Sequence, residues 1–361
     1  SAPAKTTAQK YYMPRFRQEP LAIQSPPVAA SRTAVLWCNL GSPEAATAAA
    51  IRPYLAQSLS DPRVVEMPGM LWQPFLHGII LRSQPAALAA KYARIWTSEG
   101  APLSVWTHKQ AALLQSCLNE RGHKIVALPG MRYGQPSIAS QLEALKAGGI
   151  DRVLVLPACP QYSAATTASM IDAANAWSTS ARRMLEIRFV NGYHDQTGYI
   201  DALAGSVQAY WQDHGRPDRL VFSFHGIPER NIQRGDPYET QCRHTAMRLI
   251  DRLQWREDAW ETTFQPHFRR AKSLRPDTNA VLADMGRKGV GRVDVLCPGF
   301  PADCVETLEA VAMEGRAAFL DGGGKEFHYI PALNDNPSWI TALRDIAERN
   351  LAGWPTRETL A

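Results

Sequence analysis

The sequence predicts an α/β protein made of two similar halves, each a parallel sheet flanked by helices, and two observations carry that reading. Short β-branched runs alternate with longer helical patterns along most of the chain, each run separated from the next by enough residues for a crossover helix. The segments that leave the runs also resemble one another in pairs: LGSPE at 40–44 matches HGIPE at 225–229, and PACP at 157–160 matches PGFP at 298–301. With 361 residues, 45% hydrophobic and 20% charged, the chain can bury a large core in two domains or one large one.

In chain order, residues 1–31 are rich in Ala, Pro and Gln, contain no apolar run of signal-peptide length, and read as an N-terminal extension. TAVLWCNL (33–40), KIVAL (124–128) and DRVLVLP (151–157) read as buried strands of a first half spanning 32–175. The polar, small-residue stretch DAANAWSTSARR (172–183) marks the boundary by composition. RLVFSF (219–224) and RVDVLC (292–297) are strands of a second half spanning 176–334, and 335–361 is expected as a C-terminal helical segment packing on the first half.

Composition removes several function classes. A net charge of +5 from 39 basic and 34 acidic residues without a polybasic run gives no nucleic-acid footprint and at most a mild preference for anionic groups such as substrate carboxylates. The six cysteines lie far apart, with no CxxC or CxxH pair, which points to a reducing cytosol. No stretch approaches the roughly 20 apolar residues of a membrane-spanning helix. MPGMLWQPFLHGIIL at 67–81 is apolar and aromatic but broken by Pro68, Gly69, Pro74 and Gly78. It reads either as a packed loop and short helix or as a lip that receives an apolar ligand or touches a bilayer. GRKGVGR (286–292) lacks the GxGxxG spacing, GGGKE (322–326) lacks the features of a phosphate-binding loop, and no GxSxG elbow is present. Ser223, inside a strand, is no strained nucleophile.

Ligands of open α/β sheets collect at the carboxyl ends of strands. His225 sits where the apolar run 219–224 meets a Gly-Pro turn, and Glu306 follows the run 292–297 at the start of a helix, so both could face one crevice. Each has an ordinary explanation as well. A histidine at a strand end is often a hydrogen-bonded turn residue. Asp303, three positions before Glu306, makes an acidic variant of the capping box in which the Glu side chain reaches back to the N-cap amide.

Eight segments occur in order: LWCNLGSPE (36–44), SDPRVVEMP (60–68), YARIWTSEGAPL (92–103), MRYGQPSI (131–138), VLPACPQYSAATTAS (155–169), FSFHGIPERNIQRGDPY (222–238), CPGFPADCVETLEA (297–310) and FHYIPALN (327–334). Together, over residues 33 to about 345, they resemble the ferrochelatase family in its proteobacterial form. The resemblance implies two Rossmann-like halves with a cleft between them, a chelatase-like fold. It implies insertion of Fe²⁺ into protoporphyrin IX to form protohaem with release of two protons, the last step of haem biosynthesis. Alternatives are a chelatase for coproporphyrin or another divalent metal, and a non-catalytic porphyrin or haem binder.

By the same resemblance His225 and Glu306 are the catalytic and metal-contacting pair across the porphyrin plane. Arg132 and Tyr133 are pocket residues that orient the macrocycle or its propionates. Tyr162 and Ser163 of the PQYS turn, and Met67 at the start of the lip, contact the ring. A pair of this type suits the chemistry: the departing pyrrole protons need a base, which neutral imidazole with a pKa near ~6.5 supplies, and mixed N and O ligands hold ferrous iron loosely enough to hand it on. The expected partners are protoporphyrin IX and Fe²⁺ as substrates, without nucleic acid. The chain is expected to be a cytoplasmic monomer open to peripheral contact with a membrane or with other haem-pathway enzymes. No tightly bound cofactor is expected. The last cysteine is Cys304, and Ala164 stands after PQYS where some relatives place a cysteine, so an iron–sulfur cluster is not expected.

The chain departs from the family pattern at several places. Ala101 stands where a pocket serine is usual, and Ala310 ends a normally acidic run, with Glu309 about 100° around the helix from it. In the second lip, 264–282, Ser273, Asn279 and Ala280 replace an aromatic and two carboxylates. The basic residues after the first lip thin to Arg82, with Gln84, Ala86 and Ala87 nearby.

Overall fold

The computed structural model describes residues 32–266 and 272–357, and in them two four-stranded sheets share one topology. In the first, β1 (Arg32–Asn39), β2 (Val126–Met131), β3 (Ile150–Pro157) and β4 (Glu186–Phe189) lie in the order β2-β1-β3-β4. In the second, β5 (Arg219–Phe224), β6 (Trp260–Phe264), β7 (Arg292–Leu296) and β8 (Glu326–Tyr329) lie in the order β6-β5-β7-β8. Every ladder is parallel, so each connection must cross over and helices cover both faces. The paired segments seen in the sequence leave the first and third strand of each half, at equivalent places. In this order the chain reverses direction of growth between those two strands, which is where open α/β sheets form their crevice.

The five inner or strongly apolar strands fall close to where the sequence predicts them. β4 (EIRF), β6 (WETTF) and β8 (EFHY) are absent from the sequence reading, because they are short and carry polar, partly exposed residues. β4 also moves the boundary. It pairs with β3 through Arg152↔Glu186 to Val155↔Phe189, and the helix Ser169–Ser180 runs across the division expected between 175 and 176. The first half therefore extends beyond residue 189. The N-terminal extension, 1–31, lies outside the described residues, as do 267–271 and 358–361. Helix Pro337–Asn350 packs on helices Pro102–Glu120 and Thr197–His214 and on β3.

Side-chain alternation explains the layers. On β1, Val35 and Trp37 join one cluster while Ala34, Leu36 and Cys38 join another on the opposite face; on β5, Leu220, Phe222 and Phe224 face one way and Val221 the other. The inner cluster is continuous across the halves, running from Trp37 and Leu156 through Tyr193, Tyr199 and Trp339 to Phe222 and Phe264. Each large side chain fully buried there contributes about 1.5–3 kcal/mol. The two halves consequently share a core instead of touching as separate bodies.

Gly41, directly after the β1 exit, has φ +98°, and a Cβ there would lie 1.9 Å from the Tyr133 carbonyl oxygen. Glycine lets the β1 and β2 exits stay hydrogen-bonded, with the Tyr133 amide donating to the Leu40 carbonyl at 2.9 Å. Gly41→Ala is expected to cost about 2–4 kcal/mol through strain and overpacking. A urea denaturation midpoint equal to that of the parent would contradict this close approach.

Candidate active site

The exits of β1, β3, β5 and β7 open onto one cavity. Asn39, Leu40 and Gly41 line it from β1, Ala158, Cys159 and Gln161 from β3, His225, Ile227 and Pro228 from β5, and Gly299 to Ala302 from β7. Its atom-free space, counted together with the solvent at its open mouth, is about 1360 Å³. Tyr54, Tyr92, Tyr133, Asn231, Tyr238, Phe300 and Glu306 complete much of the wall. The two crevices that the topology generates thus face each other and merge.

His225 is the first residue beyond β5, and its ring meets Phe300 edge-on, with centroids 6.5 Å apart. Burial pushes its pKa below the usual 6.5, and the negative charge of Glu306 opposes that shift without reversing it. The imidazole is therefore a neutral base at physiological pH.

Glu306 lies in the first turn of the short helix Val305–Leu308, and its capping differs from the sequence expectation. The N-cap is Cys304. Its side chain accepts from the backbone of Thr307, while Thr307 Oγ1 accepts from the Cys304 amide at 3.0 Å. The box is displaced by one residue because threonine at 307 supplies the reciprocal oxygen, which releases Glu306 from capping and lets it line the cavity. Asp303 anchors the turn instead. Oδ1 accepts from Thr307 Oγ1 at 2.8 Å and from Tyr329 Oη at 2.6 Å, and Oδ2 accepts from Asn334 Nδ2 at 2.7 Å. The Glu306 charge, together with burial, raises Tyr54, Tyr92 and Cys304, so the phenols and thiol around it stay protonated.

Beyond Glu306 the helix loosens into a π-helical turn, Ala310–Gly315, before Arg316–Asp321 resumes α geometry. Glu309 is 1% exposed and turns away from the cleft to Lys91 Nζ (2.9 Å) and Arg94 (3.1 Å), in line with the expectation that it does not replace the acid missing at Ala310.

The remaining predicted residues divide. Tyr133 lines the cavity, and its hydroxyl donates to Asp61 Oδ2 at 2.8 Å. Arg132 is absent from the lining. It is committed to Asp61 (2.5 Å) and to Ser169 (2.6 Å), behind the wall, so it positions Tyr133. Ser163 lines the cavity and donates to Asp236 at 3.0 Å, while Tyr162, held through its amide by Gln241 at 2.7 Å, does not line it. Met67 is also outside the lining, 47% exposed on an apolar surface with Met70, Leu71, Phe75 and Ile79. Ala101 occupies the N-cap of Pro102–Glu120 without a side-chain bond, so a serine there would serve the helix end. Ser273, Asn279 and Ala280 do not line the cavity, and part of that second lip, 267–271, lies outside the described residues.

The sequence reading missed Tyr54, Asp61, Tyr92, Asn231 and Tyr238. Asp61, Tyr92, Asn231 and Tyr238 lie inside segments already noted, and only knowledge of which face is buried could single them out. Tyr54 carries no motif signal. Among the described residues, neither His225, Glu306 nor any cysteine belongs to a group of three or more metal-ligating side chains.

A family model described as Ferrochelatase matches residues 32–351. A ferrochelatase of Polaromonas sp. (strain JS666) is 55% identical over 92% of this chain and 90% of its own length. One from Methylibium petroleiphilum is 55% identical over 91% and 90%, and one from Dechloromonas aromatica 49% over 96% and 94%. Among solved structures, SirB from Bacillus subtilis with Fe³⁺ aligns with TM-score 0.52 at 12% identity over 89% of this chain and 96% of that one, a likeness of fold.

Asp61 generates a stability prediction. Burial raises its pKa, but hydrogen bonds from Ser169, the Arg63 amide and Tyr133 and the charge of Arg132 outweigh burial and hold it below the usual carboxylate value. A depressed folded pKa contributes stability that is present above the unfolded value and lost as pH falls through the folded one. Asp61→Asn is expected to cost about 2–3 kcal/mol at neutral pH, less than a fully buried pair because Arg132 retains 22% exposure. The cost should shrink on acidification below about pH 4. Denaturation midpoints across pH decide the matter; a pH-independent difference would remove Asp61 from the acid limb.

Proposed function

The chain belongs to the ferrochelatase family, and on that premise we propose that His225 and Glu306 are the residues that carry metal insertion. The activity is insertion of Fe²⁺ into protoporphyrin IX to form protohaem, releasing two protons, the last step of haem biosynthesis; such an enzyme is a lyase that forms metal–nitrogen bonds. The observation that carries the residue assignment is the convergence of His225, at the exit of β5, and Glu306, on the short helix that follows the neighbouring strand β7, on a single largely apolar cavity.

Two pyrrole N–H protons must leave as the metal arrives. His225, held neutral by burial, can take a proton at pH 7. Glu306 supplies the charge complementary to Fe²⁺, and its phenol and thiol neighbours remain uncharged, so in this group of side chains the carboxylate is the anion that meets the metal. Burial pushes the Cys159 thiol up to about 12 and Cys304 well above its ordinary value. In the metal-free cavity these thiols stay protonated, which leaves the carboxylate and the imidazole as the ready ligands for iron as substrate. Tyr133 and Ser163, fixed by Asp61 and Asp236, offer rigid polar contacts to a macrocycle.

The enzyme acts as a cytoplasmic monomer, and the Met67, Met70, Leu71, Phe75 and Ile79 surface is the lip over which an apolar macrocycle, or the membrane or pathway enzyme that presents it, makes contact. Unpaired cysteines agree with a reducing compartment. Among the described residues no helix is long and apolar enough to cross a membrane.

His225→Ala and Glu306→Gln are each expected to lower the anaerobic rate of Fe²⁺ insertion into protoporphyrin IX by roughly 10²–10⁴-fold while porphyrin binding, read by fluorescence quenching, persists. In the parent, kcat/KM should fall only as pH drops through the lowered His225 pKa, below 6.5. Full insertion rates in both variants would end the site assignment, and faster turnover of coproporphyrin III or of Zn²⁺ would redirect the substrate. For the lip, Met70→Ser with Leu71→Ser should weaken binding to mixed zwitterionic and anionic vesicles roughly tenfold; unchanged flotation would dissociate the patch from membranes.

A further inference from the structure

A second group of metal-ligating side chains sits outside the cleft, where the connection after β4 crosses the helix Tyr238–Leu253. His194 and Asp195 lie in that connection and His244 lies on the helix. His244 Nδ1 is 3.3 Å from His194 Nε2, and the rings stand at 61° with centroids 5.3 Å apart. One ligand atom from each of His194, Asp195 and His244 falls within 4.8 Å of the others, the one such group among the described residues. Two imidazole nitrogens bound to a tetrahedral ion at ~2.0–2.1 Å stand about 3.3–3.4 Å apart. Without an ion this contact is a hydrogen bond between the two rings, and once an ion displaces the shared proton the same spacing is that of a chelating pair.

The neighbouring backbone is fixed as well. Thr245 Oγ1 donates to the His194 carbonyl at 2.8 Å, and the Tyr193 amide donates to the Pro160 carbonyl at 2.9 Å, so the loop that carries His194 is tied to both its neighbours before any ion arrives. The Arg248 guanidinium, one turn further along the helix, also acts on His194, and Asp195 is the anion that offsets it. An N₂O donor set with too few oxygens for Ca²⁺ or Mg²⁺ selects borderline transition cations.

We propose that His194 Nε2, His244 Nδ1 and an Asp195 oxygen form a second divalent-metal site, separate from the cleft, that takes Zn²⁺ or Co²⁺ and leaves at least one coordination position open to water. The ion would clip the loop after β4 to helix Tyr238–Leu253. The clip reaches the cleft wall, because Gln161, which lines the cavity, donates to the same Thr245 hydroxyl at 3.0 Å.

The test uses the full chain carrying His225→Ala and Glu306→Gln, titrated with Co²⁺ and followed by its visible d–d absorption, beside the same chain with His194→Ala or His244→Ala added. Expected is one equivalent with a tetrahedral-type spectrum, weakened roughly 10–100-fold by either substitution, together with a Zn²⁺-dependent rise in Tm that both substitutions abolish. Far-UV circular dichroism and iron insertion by His194→Ala in the otherwise unaltered chain verify that the fold survives. Cobalt binding that is indifferent to His194 and His244, or a spectrum that never develops in excess Co²⁺, overturns the site.

Discussion

The side-chain amide of Gln110 holds the two halves at a fixed separation. It is fully buried on helix Pro102–Glu120, where its Oε1 accepts from Trp37 Nε1 at 3.1 Å and its Nε2 donates to the Pro301 carbonyl at 3.0 Å and the Asn334 carbonyl at 2.8 Å. Trp37 belongs to β1, whereas Pro301 and Asn334 follow β7 and β8, so one amide ties the first sheet to the second. Losing it would strand a buried indole N–H and the Asn334 carbonyl, each at about 1–3 kcal/mol, while the Pro301 carbonyl would keep the Asn334 amide, which donates to it at 2.9 Å. The tie continues into the site: Asn334, in the left-handed region at φ +46°, turns its carbonyl to Gln110 and its side-chain amide to Asp303, and Asp303 holds Thr307. Four successive hydrogen bonds therefore connect the core indole of Trp37 to the helical turn that presents Glu306.

That arrangement explains why the cavity lies where it does. Each half has its crevice beyond the first and third strands, and each crevice alone would be shallow. Bringing them face to face around a shared core of Trp37, Tyr193, Tyr199, Trp339 and Phe222 makes a deep cavity whose walls are the strand exits themselves. The carboxylates near it are sorted by their partners. Asp61, Asp303 and Glu309 are buried with donors or cations and serve as structure, while Glu306 remains at the cavity surface.

Much of this was legible in the sequence. The inner strands β1, β3, β5 and β7 announce themselves as apolar runs, and the paired exits mark the internal duplication before any coordinates. The edge strands β4, β6 and β8 do not, because four or five residues with one polar face carry no apolar run, and missing β4 placed the boundary too early. His225 was legible as a strand-end residue and Glu306 as its counterpart, but Glu306 was given a competing capping role that a single hydroxyl, Thr307 Oγ1, removes. Arg132 and Tyr133 were read together as pocket residues. Adjacent residues on an extended exit point to opposite sides, and only Tyr133 faces the cavity while Arg132 turns back to Asp61. Asp61 itself was hidden, since nothing in one sequence distinguishes a buried acceptor of four donors from a solvated aspartate.

The departures from the family pattern fall into this same logic. Ala101 removes a helix cap, and its methyl packs with Ile51, Ala89 and Tyr92 in a small cluster beside the cleft, so its effect lies in the helix end and not in the lining. Ala310 removes a carboxylate from the π-helical turn, and neither neighbouring acid replaces it: Glu309 is neutralised by Lys91 and Arg94, and Glu314 by Lys91. Along this helix, within the described residues, no unpaired acid stands between Glu306 and Asp321 to pass a cation inward. Glu306, to which metal contact is assigned in the proposal, has neighbours His225, Tyr54, Tyr92 and Cys304 that are all held uncharged by burial. In a weakly polar cavity the attraction between a carboxylate and a cation is less screened than in water, while the ion must give up hydration to reach it, and that balance fits the proposed pairing of Glu306 with the neutral imidazole of His225.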